Sequence, residues 1–494
     1  MGCNAKRKIQ LEKSASATPA LPPQILVPLI VACALFMENL DATVISTALP
    51  AIASDLHESP IQLKLALTSY LLTLAVFIPA SGWFADRFGT RIIFRSAILI
   101  FAIGSAFCGF AGSIQSLVAA RALQGLGGAM MVPVGRLVIL RTIPRSEFVG
   151  ALAWLTIPAL IGPVVGPPVG GFITTYFSWR WIFWINLPVA ALGMVLATLF
   201  VPNVMGERIS RFDFVGFILS GVGLASLVAS SALADLSGTP IGLAIGLFAV
   251  GAISVVLYVL HARRSQNPIL DLRLLRYPTF RAGIVGGSLF RLGVGALPLL
   301  LPLLFQLGFG MSPLSSGLLT FVAAIGAMGM KTAAGAILRK FGFRRVLAIN
   351  AIISGALIAV PAFFTRATPV WVMSGALFVG GFFRSLQFTC INAIGVAEID
   401  QAEMSQATSF LSVFQQLALS LGVTVAAAIL QLSLFFRGSE NLIEGDFIPA
   451  FLAVGAIGVA SFISFARLPA DAGEEVAGRK RVGSAAVAIA NGRS

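Results

Sequence analysis

Two acids three residues apart, Glu38 and Asp41, sit inside a long apolar run that opens near Ile25 and ends FMENLDATVISTALP at Pro50. Positions three apart lie on one side of a helix, so both carboxylates project together. An ionised side chain at bilayer depth costs about 2.5–3.5 kcal/mol even on lenient insertion scales, and chains carry one where it faces a wet interior and has a partner. Such acids suit proton uptake and release in a transporter built around this helix; the plainer reading is a snorkelling acid plus a structural ion pair. Arg121 also lies within an apolar run, with Gln124 one turn on, and a buried guanidinium requires an anion. The other charges within apolar runs are basic: Arg95, Arg136, Arg291, Lys331 and Arg384. Arg95 lies near a helix end, where it can snorkel. Arg291, Lys331 and Arg384 occur in the second half, where no matching run of acids is found. Facing a cavity, they favour an anionic substrate; otherwise they pair with helix C-termini, carbonyls or tail acids. Arg136, Gln124 and Gln415 join them as candidate cavity residues, with Gln387, Asn392 and Gln416 as further polar contacts or helix–helix hydrogen bonds.

The elements that position these groups are membrane helices. The 494 residues are 57% hydrophobic and 11% charged, against about 25% charged in soluble proteins. About 20 apolar residues span a bilayer, and fourteen such runs occur: roughly 25–47, 63–83, 92–112, 115–140, 149–174, 182–201, 214–234, 240–260, 283–307, 313–338, 346–365, 369–396, 407–435 and 447–466. With the N-terminus cytoplasmic, the inside segments hold 24 of the 34 lysines and arginines, and the outside loops only Lys64, Arg180, Arg366 and Arg437. That asymmetry places both termini in the cytoplasm. The net charge of +14 therefore reports topology and contact with anionic lipids, not a nucleic-acid partner. Trp179, Trp181 and Trp184 read as an interfacial belt.

GWFADRFGTR (Gly82 to Arg91) and GAILRKFGFR (Gly335 to Arg344) repeat Gly, a basic residue, Phe, Gly and Arg at matching positions. The repeat predicts two six-helix halves. The expected divisions are a tail at 1–24, a first bundle at 25–201, a linker at 202–281 with two extra helices and an amphipathic connector, a second bundle at 282–466 and a tail at 467–494. In the first loop, Gly82 and Gly89 allow a tight turn, and Asp86 can pair with Arg91 or with the positive end of a facing helix. With Arg87 these form a candidate latch; Arg339 replaces the acid in the second copy. GPVVGPPVGG places Gly162, Pro163, Gly166, Pro167, Gly170 and Gly171 in one helix, where prolines kink and glycines at four-residue spacing admit a neighbouring backbone.

Other chemistry finds little support. The four cysteines form no framework or metal motif, and His57 and His261 fall in predicted loops. GAMGMKT imitates a phosphate loop, but Met330 stands where a glycine is required. No nucleophilic triad appears. The expectation is an all-α polytopic membrane protein, not an enzyme, with no cofactor and no metal, powered by an ion gradient.

LDATVISTALP, GWFADRFGTR, RALQGLGGAMMVP (Arg121 to Pro133) and GPVVGPPVGG together resemble the major facilitator superfamily, specifically its fourteen-helix drug:proton antiporter branch. Ser46 stands where that branch usually has Asn. The resemblance covers nearly the whole chain. It implies that helices 1 and 4 meet, so that Asp41 pairs with Arg121, and that Asp41, Glu38 and Arg121 couple protons to transport. It also implies that the loop after helix 2 latches, that the helix 5 motif serves antiport, and that the protein is a monomer in a bacterial inner membrane. The implied function is proton-coupled export of small amphipathic drugs or organic anions by alternating access. Efflux of a polycarboxylate or its metal chelate, and symport uptake of organic acids, stand as alternatives.

Overall fold

A computed structural model of the chain describes residues 23–143, 148–206, 211–234, 241–400, 403–439 and 441–477. The described residues contain no strand; the apolar runs are helices because a backbone in lipid must satisfy its own hydrogen bonds. The first six are α1 (Pro23–Asp55), α2 (Lys64–Phe88), α3 (Thr90–Gly109), α4 (Ile114–Thr142), α5 (Phe148–Tyr176) and α6 (Trp181–Phe200). Two more follow, α7 (Phe214–Ala234) and α8 (Ile241–Arg264). The last six are α9 (Pro278–Gly308), α10 (Pro313–Phe341), α11 (Phe343–Phe363), α12 (Val370–Ile394), α13 (Met404–Arg437) and α14 (Glu444–Ala466). Among the described residues 13 helices are long and apolar enough to cross a membrane; α5, at 29 residues, is the other long helix.

In the first half α1 packs along α5, and α4 lies between α2 and α3. In the second half α10 packs along α12, α11 along α14 and α9 along α13. The halves meet through α5 against α10 and α2 against α13. The α7–α8 pair leans on α2, and Leu243, Phe248, Ile253 and Val256 of α8 face outward. One end of the bundle, here the basic end, carries Arg87, Arg141, Arg211, Arg263, Arg339 and Arg344; the other is the far end.

At the far end the halves are joined. Gln306 Nε2 on α9 donates to the Thr47 carbonyl on α1 at 2.9 Å, and Leu314 N on α10 donates to Thr175 Oγ1 on α5 at 3.1 Å. Toward the basic end a Cβ added to Gly82 on α2 or Gly329 on α10 would meet nothing within 4 Å. The far seal rests on few bonds. Gln306→Leu removes one worth about 0.5–1.5 kcal/mol, so a cysteine at the buried seam position Ser316 is expected to react several-fold faster with a membrane-impermeant maleimide.

The ninth span is interrupted: after Pro278–Gly295, Pro298 and Pro302 break its ladder, and the chain continues as Leu297–Leu303 and then a π-helical turn, Leu304–Gly308. The connector after α8 carries a 3-10 turn at Leu272–Arg276, and Tyr258 holds it by bonds to both the Leu270 carbonyl and the Leu270 amide. The structure corrects two expectations. His261 is not in a loop but in the last turn of α8, with Nε2 2.7 Å from Asp213 Oδ1. Of the three tryptophans only Trp181 is exposed; Trp179 is buried and donates to Asp55, and Trp184 packs over Gly109.

Candidate functional site

Asp41 lies midway along α1, on the side facing α4 and α6. Its Oδ2 accepts from Arg121 Nη1 at 2.5 Å, and both side chains are 1% exposed. Its Oδ1 accepts from Gln124 Nε2 at 2.8 Å and from Asn186 Nδ2 at 3.0 Å. Arg121 also donates to Gln124 Oε1 at 2.7 Å and to the Ala66 carbonyl on α2 at 3.3 Å, and it stacks over the Tyr70 ring at 4.2 Å. Asn186 reaches Ser105 Oγ at 3.1 Å, and Ser105 donates to the Phe183 carbonyl. Five helices, α1, α2, α3, α4 and α6, thus converge on one carboxylate. Removing one member of such a buried pair costs about 3–5 kcal/mol because the other charge is stranded. A proton arriving at Asp41 removes the charge that holds Arg121 in the same way.

Asn186, Ser105 and Tyr70 escaped the sequence reading. Asn186 left a faint signal, as the only amide in the apolar run 181–200; Ser105 and Tyr70 left none, since such residues are common in helices.

Glu38 sits one turn from Asp41 toward the basic end. Its Oε2 is buried without a hydrogen-bond partner, as is the Tyr70 hydroxyl. Arg136 on α4 is exposed. The two acids therefore differ: both oxygens of Asp41 are engaged, whereas Glu38 has a buried oxygen that accepts no hydrogen bond.

The candidate latch is engaged differently from the expectation. Asp86 pairs neither with Arg91 nor with the positive end of a facing helix; it forms an ion pair with Arg141 at the end of α4. Its carbonyl accepts from Gly206 N at 3.1 Å, and Arg91 N donates to Asn203 Oδ1 at 3.1 Å. The loop is thus fastened within its own half, to α4 and the segment after α6. Gly89 adopts φ +94° to make the turn, which a side chain would strain. Arg87 is exposed. Asp86→Asn is expected to slow turnover about tenfold, since a hydrogen bond to a charged group contributes about 1.5–3 kcal/mol; initial transport rates at matched expression check this.

The glycines of α5 serve two neighbours. A Cβ on Gly166 would fall 2.0 Å from Thr43 Oγ1, and one on Gly170 2.4 Å from the Val44 carbonyl, so this face lies backbone to backbone on α1. Gly162 meets the Phe36 carbonyl on the same face. The other face crosses to the second half: a Cβ on Gly171 would fall 2.4 Å from the Pro313 carbonyl, and one on Gly317 2.3 Å from the Pro167 carbonyl. Pro163 and Pro167 sit within an unbroken helix rather than ending it.

Of the second-half cations, Arg291 on α9 is buried and donates to Asn392 Oδ1 on α12 at 2.6 Å. Exposed Lys331 on α10 donates to Thr389 Oγ1 on α12 at 3.2 Å. Arg384 lies two turns further toward the far end, against Leu297, Leu301, Leu357 and Leu377, apart from those two. Gln415 and Gln416 are half-buried on α13, and Gln387 is turned away into a bond with Asn350 of α11.

Two six-helix halves, a buried carboxylate–guanidinium pair in one of them and a seam sealed at one end define a polytopic carrier of the alternating-access type. The chain belongs to the Major Facilitator Superfamily, whose profile matches residues 31–213 and 283–491. It is 40% identical to MdtD of Escherichia coli strain K12 over 463 residues, covering 92% of this chain and 97% of that one. MdtD of Shigella boydii serotype 18 matches to the same extent, 40% over 463 residues, 92% of this chain and 97% of that one; both relatives are named as multidrug resistance proteins. Two solved structures share the fold. The D-xylose-proton symporter superposes with a TM-score of 0.65 at 17% identity, over 91% of this chain and 98% of that one. The human organic anion transporter MFSD10 does so with 0.59 at 16% identity, over 90% of this chain and 100% of that one. The protein is accordingly a multi-pass inner-membrane transporter, not an enzyme.

Proposed function

We propose that the protein exports small molecules in exchange for protons, with Asp41 as the exchanging group. The observation that carries this reading is the Asp41–Arg121 pair, fully desolvated and held by Gln124 and Asn186. Ionised Asp41 holds Arg121, and with it α1 against α4. Protonated Asp41 releases the guanidinium and lets the helices shift. One proton moving inward across 100 mV contributes about 2.3 kcal/mol. Glu38, nearer the basic end, passes protons between Asp41 and the basic-side opening. The relatives' name supports drug-like substrates.

The basic end is the cytoplasmic one by its arginines, so the far-end contacts between the halves lie on the outer side. The extracytoplasmic seal is the α5–α10 contact, and the loop holding Asp86 is the latch that closes the other side. The carrier works as a monomer and needs no bound cofactor.

The test is the direction of proton flow. In everted vesicles holding an imposed pH gradient, acid inside, addition of an exported dye is expected to draw protons out of the lumen. Proton movement in the same direction as the dye would establish symport and overturn the reading.

A further inference from the structure

A cavity of about 520 Å³ lies where the basic end of α8 meets the connector that follows it. That volume falls in the range of small-ligand sites, about 300–1,000 Å³. Val259 and Arg263 of α8, Ser265, and Leu272, Arg273 and Leu275 of the 3-10 turn line it. Cations and apolar side chains thus share one wall.

That wall is held from behind. The Tyr258 hydroxyl donates to the Leu270 carbonyl at 2.8 Å and accepts from the Leu270 amide at 2.9 Å, which fixes the connector to α8. Leu274, in the middle of the turn, is fully buried. Asp271, also at the cavity, caps the turn by accepting from Arg273 N, and its two carboxylate oxygens accept from the Arg273 guanidinium at 2.8–3.0 Å. The acid is therefore neutralised and only 4% exposed, whereas Arg273 is 65% exposed and keeps Nη1 outside the pair. Arg263 adds a positive charge that this pair does not cancel. From His261 to Arg281 the chain carries five arginines against one acid.

The cavity also continues a lipid-facing surface. Ile253, Val256 and Leu260 of α8 are exposed. They stand three and four residues apart, and Arg263, itself exposed, follows three residues after Leu260. Residues so spaced share one face of a helix. An apolar stripe in the bilayer thus ends on an arginine at the cavity. A soluble anion makes no use of such a stripe, but a phospholipid presents the same order: acyl chain, then glycerol, then phosphate.

We propose that this cavity holds the headgroup of an anionic phospholipid, with an acyl chain along Ile253, Val256 and Leu260. The phosphate takes charge-assisted bonds from Arg263 and from Nη1 of Arg273, and Ser265 adds a hydroxyl donor. Leu272 and Leu275 cover the glycerol. Basic pockets beside membrane helices recognise headgroups by this combination. The site lies apart from Asp41 and does not depend on the direction of proton flow.

The experiment is titration of the purified full-length protein in detergent micelles with phosphatidylglycerol, bound lipid being counted by native mass spectrometry. Phosphatidylethanolamine and glycerol 3-phosphate are the comparison ligands. Wild type is expected to hold one phosphatidylglycerol at least fivefold more tightly than phosphatidylethanolamine, and glycerol 3-phosphate at equal concentration not to displace it. Arg263→Gln is expected to weaken phosphatidylglycerol about fivefold, the effect of one cation at an anionic surface, and Arg263→Glu more than tenfold. Both change an exposed residue in the last turn of α8, which folding tolerates. Arg344→Glu makes the same charge change at an exposed position at the start of α11 and is expected to bind as wild type does. Phosphatidylglycerol held no more tightly than phosphatidylethanolamine, displaced by glycerol 3-phosphate, unaffected by Arg263→Glu, or weakened as much by Arg344→Glu overturns the proposal.

Discussion

Replacing Asp41 with asparagine is expected to abolish proton-driven efflux, leaving everted vesicles no more active than those lacking the protein. Asparagine keeps the shape of a protonated aspartate but cannot lose the charge-neutralising proton. It can still receive bonds from Gln124 and Asn186, whereas Arg121 loses its carboxylate partner. The variant should therefore assemble in the membrane and run as a single species on size exclusion, with a lowered melting temperature. Asp41→Glu keeps the charge in a pocket where every neighbour is within hydrogen-bonding distance. The extra methylene overpacks the site by about 1–3 kcal/mol, so this variant is expected to retain a small but gradient-dependent rate. Efflux by Asp41→Asn at the wild-type rate would show that the pair is only structural. Glu38→Gln, at a carboxylate with one unbonded oxygen, is expected to slow efflux less severely.

The second large effect belongs to the far-end seam. Gly317→Val puts a branched side chain where even a Cβ would stand 2.3 Å from the Pro167 carbonyl. That oxygen is backbone and cannot swing away, so either the helix pair separates or the fold fails. Overpacking of about 1–3 kcal/mol applied to a two-state seam shifts the balance roughly 5–150-fold toward the far-end-open form. Efflux should fall to near zero while a cysteine at Ser316 becomes reactive from outside. Gly171→Val, across the same seam, is expected to behave alike because its Cβ would meet the Pro313 carbonyl at 2.4 Å. Gly329→Val is the control: nothing lies within 4 Å, and its effect should be small. Equal loss in all three would mean general intolerance of larger side chains in α5 and α10 rather than a gate.

Much of this architecture could be read from residue order. Apolar run length marks spans directly, because lipid permits few alternatives to a helix. Asp41 and Arg121 stood out because charge within such runs is rare. What stayed hidden depends on rotation and proximity. That Asp86 pairs with Arg141 rather than Arg91 follows from where α4 ends, 55 residues later in the chain. Asn186 and Ser105 look like ordinary helix residues until α3 and α6 are brought to Asp41. The break in α9 was foreshadowed by Pro298 and Pro302, yet the hydropathy of Leu297–Leu303 conceals it. Trp179 looked interfacial by type, but Asp55 and Arg180 fold over it.

The central claim is that Asp41 gives up and regains the transported proton. Proton release on substrate binding tests it most directly, using weakly buffered detergent-solubilised protein with a pH indicator dye. Wild type is expected to release protons when an exported dye is added at a pH where the carrier is protonated, and Asp41→Asn to bind the dye with no release. Undiminished release from Asp41→Asn would contradict the account.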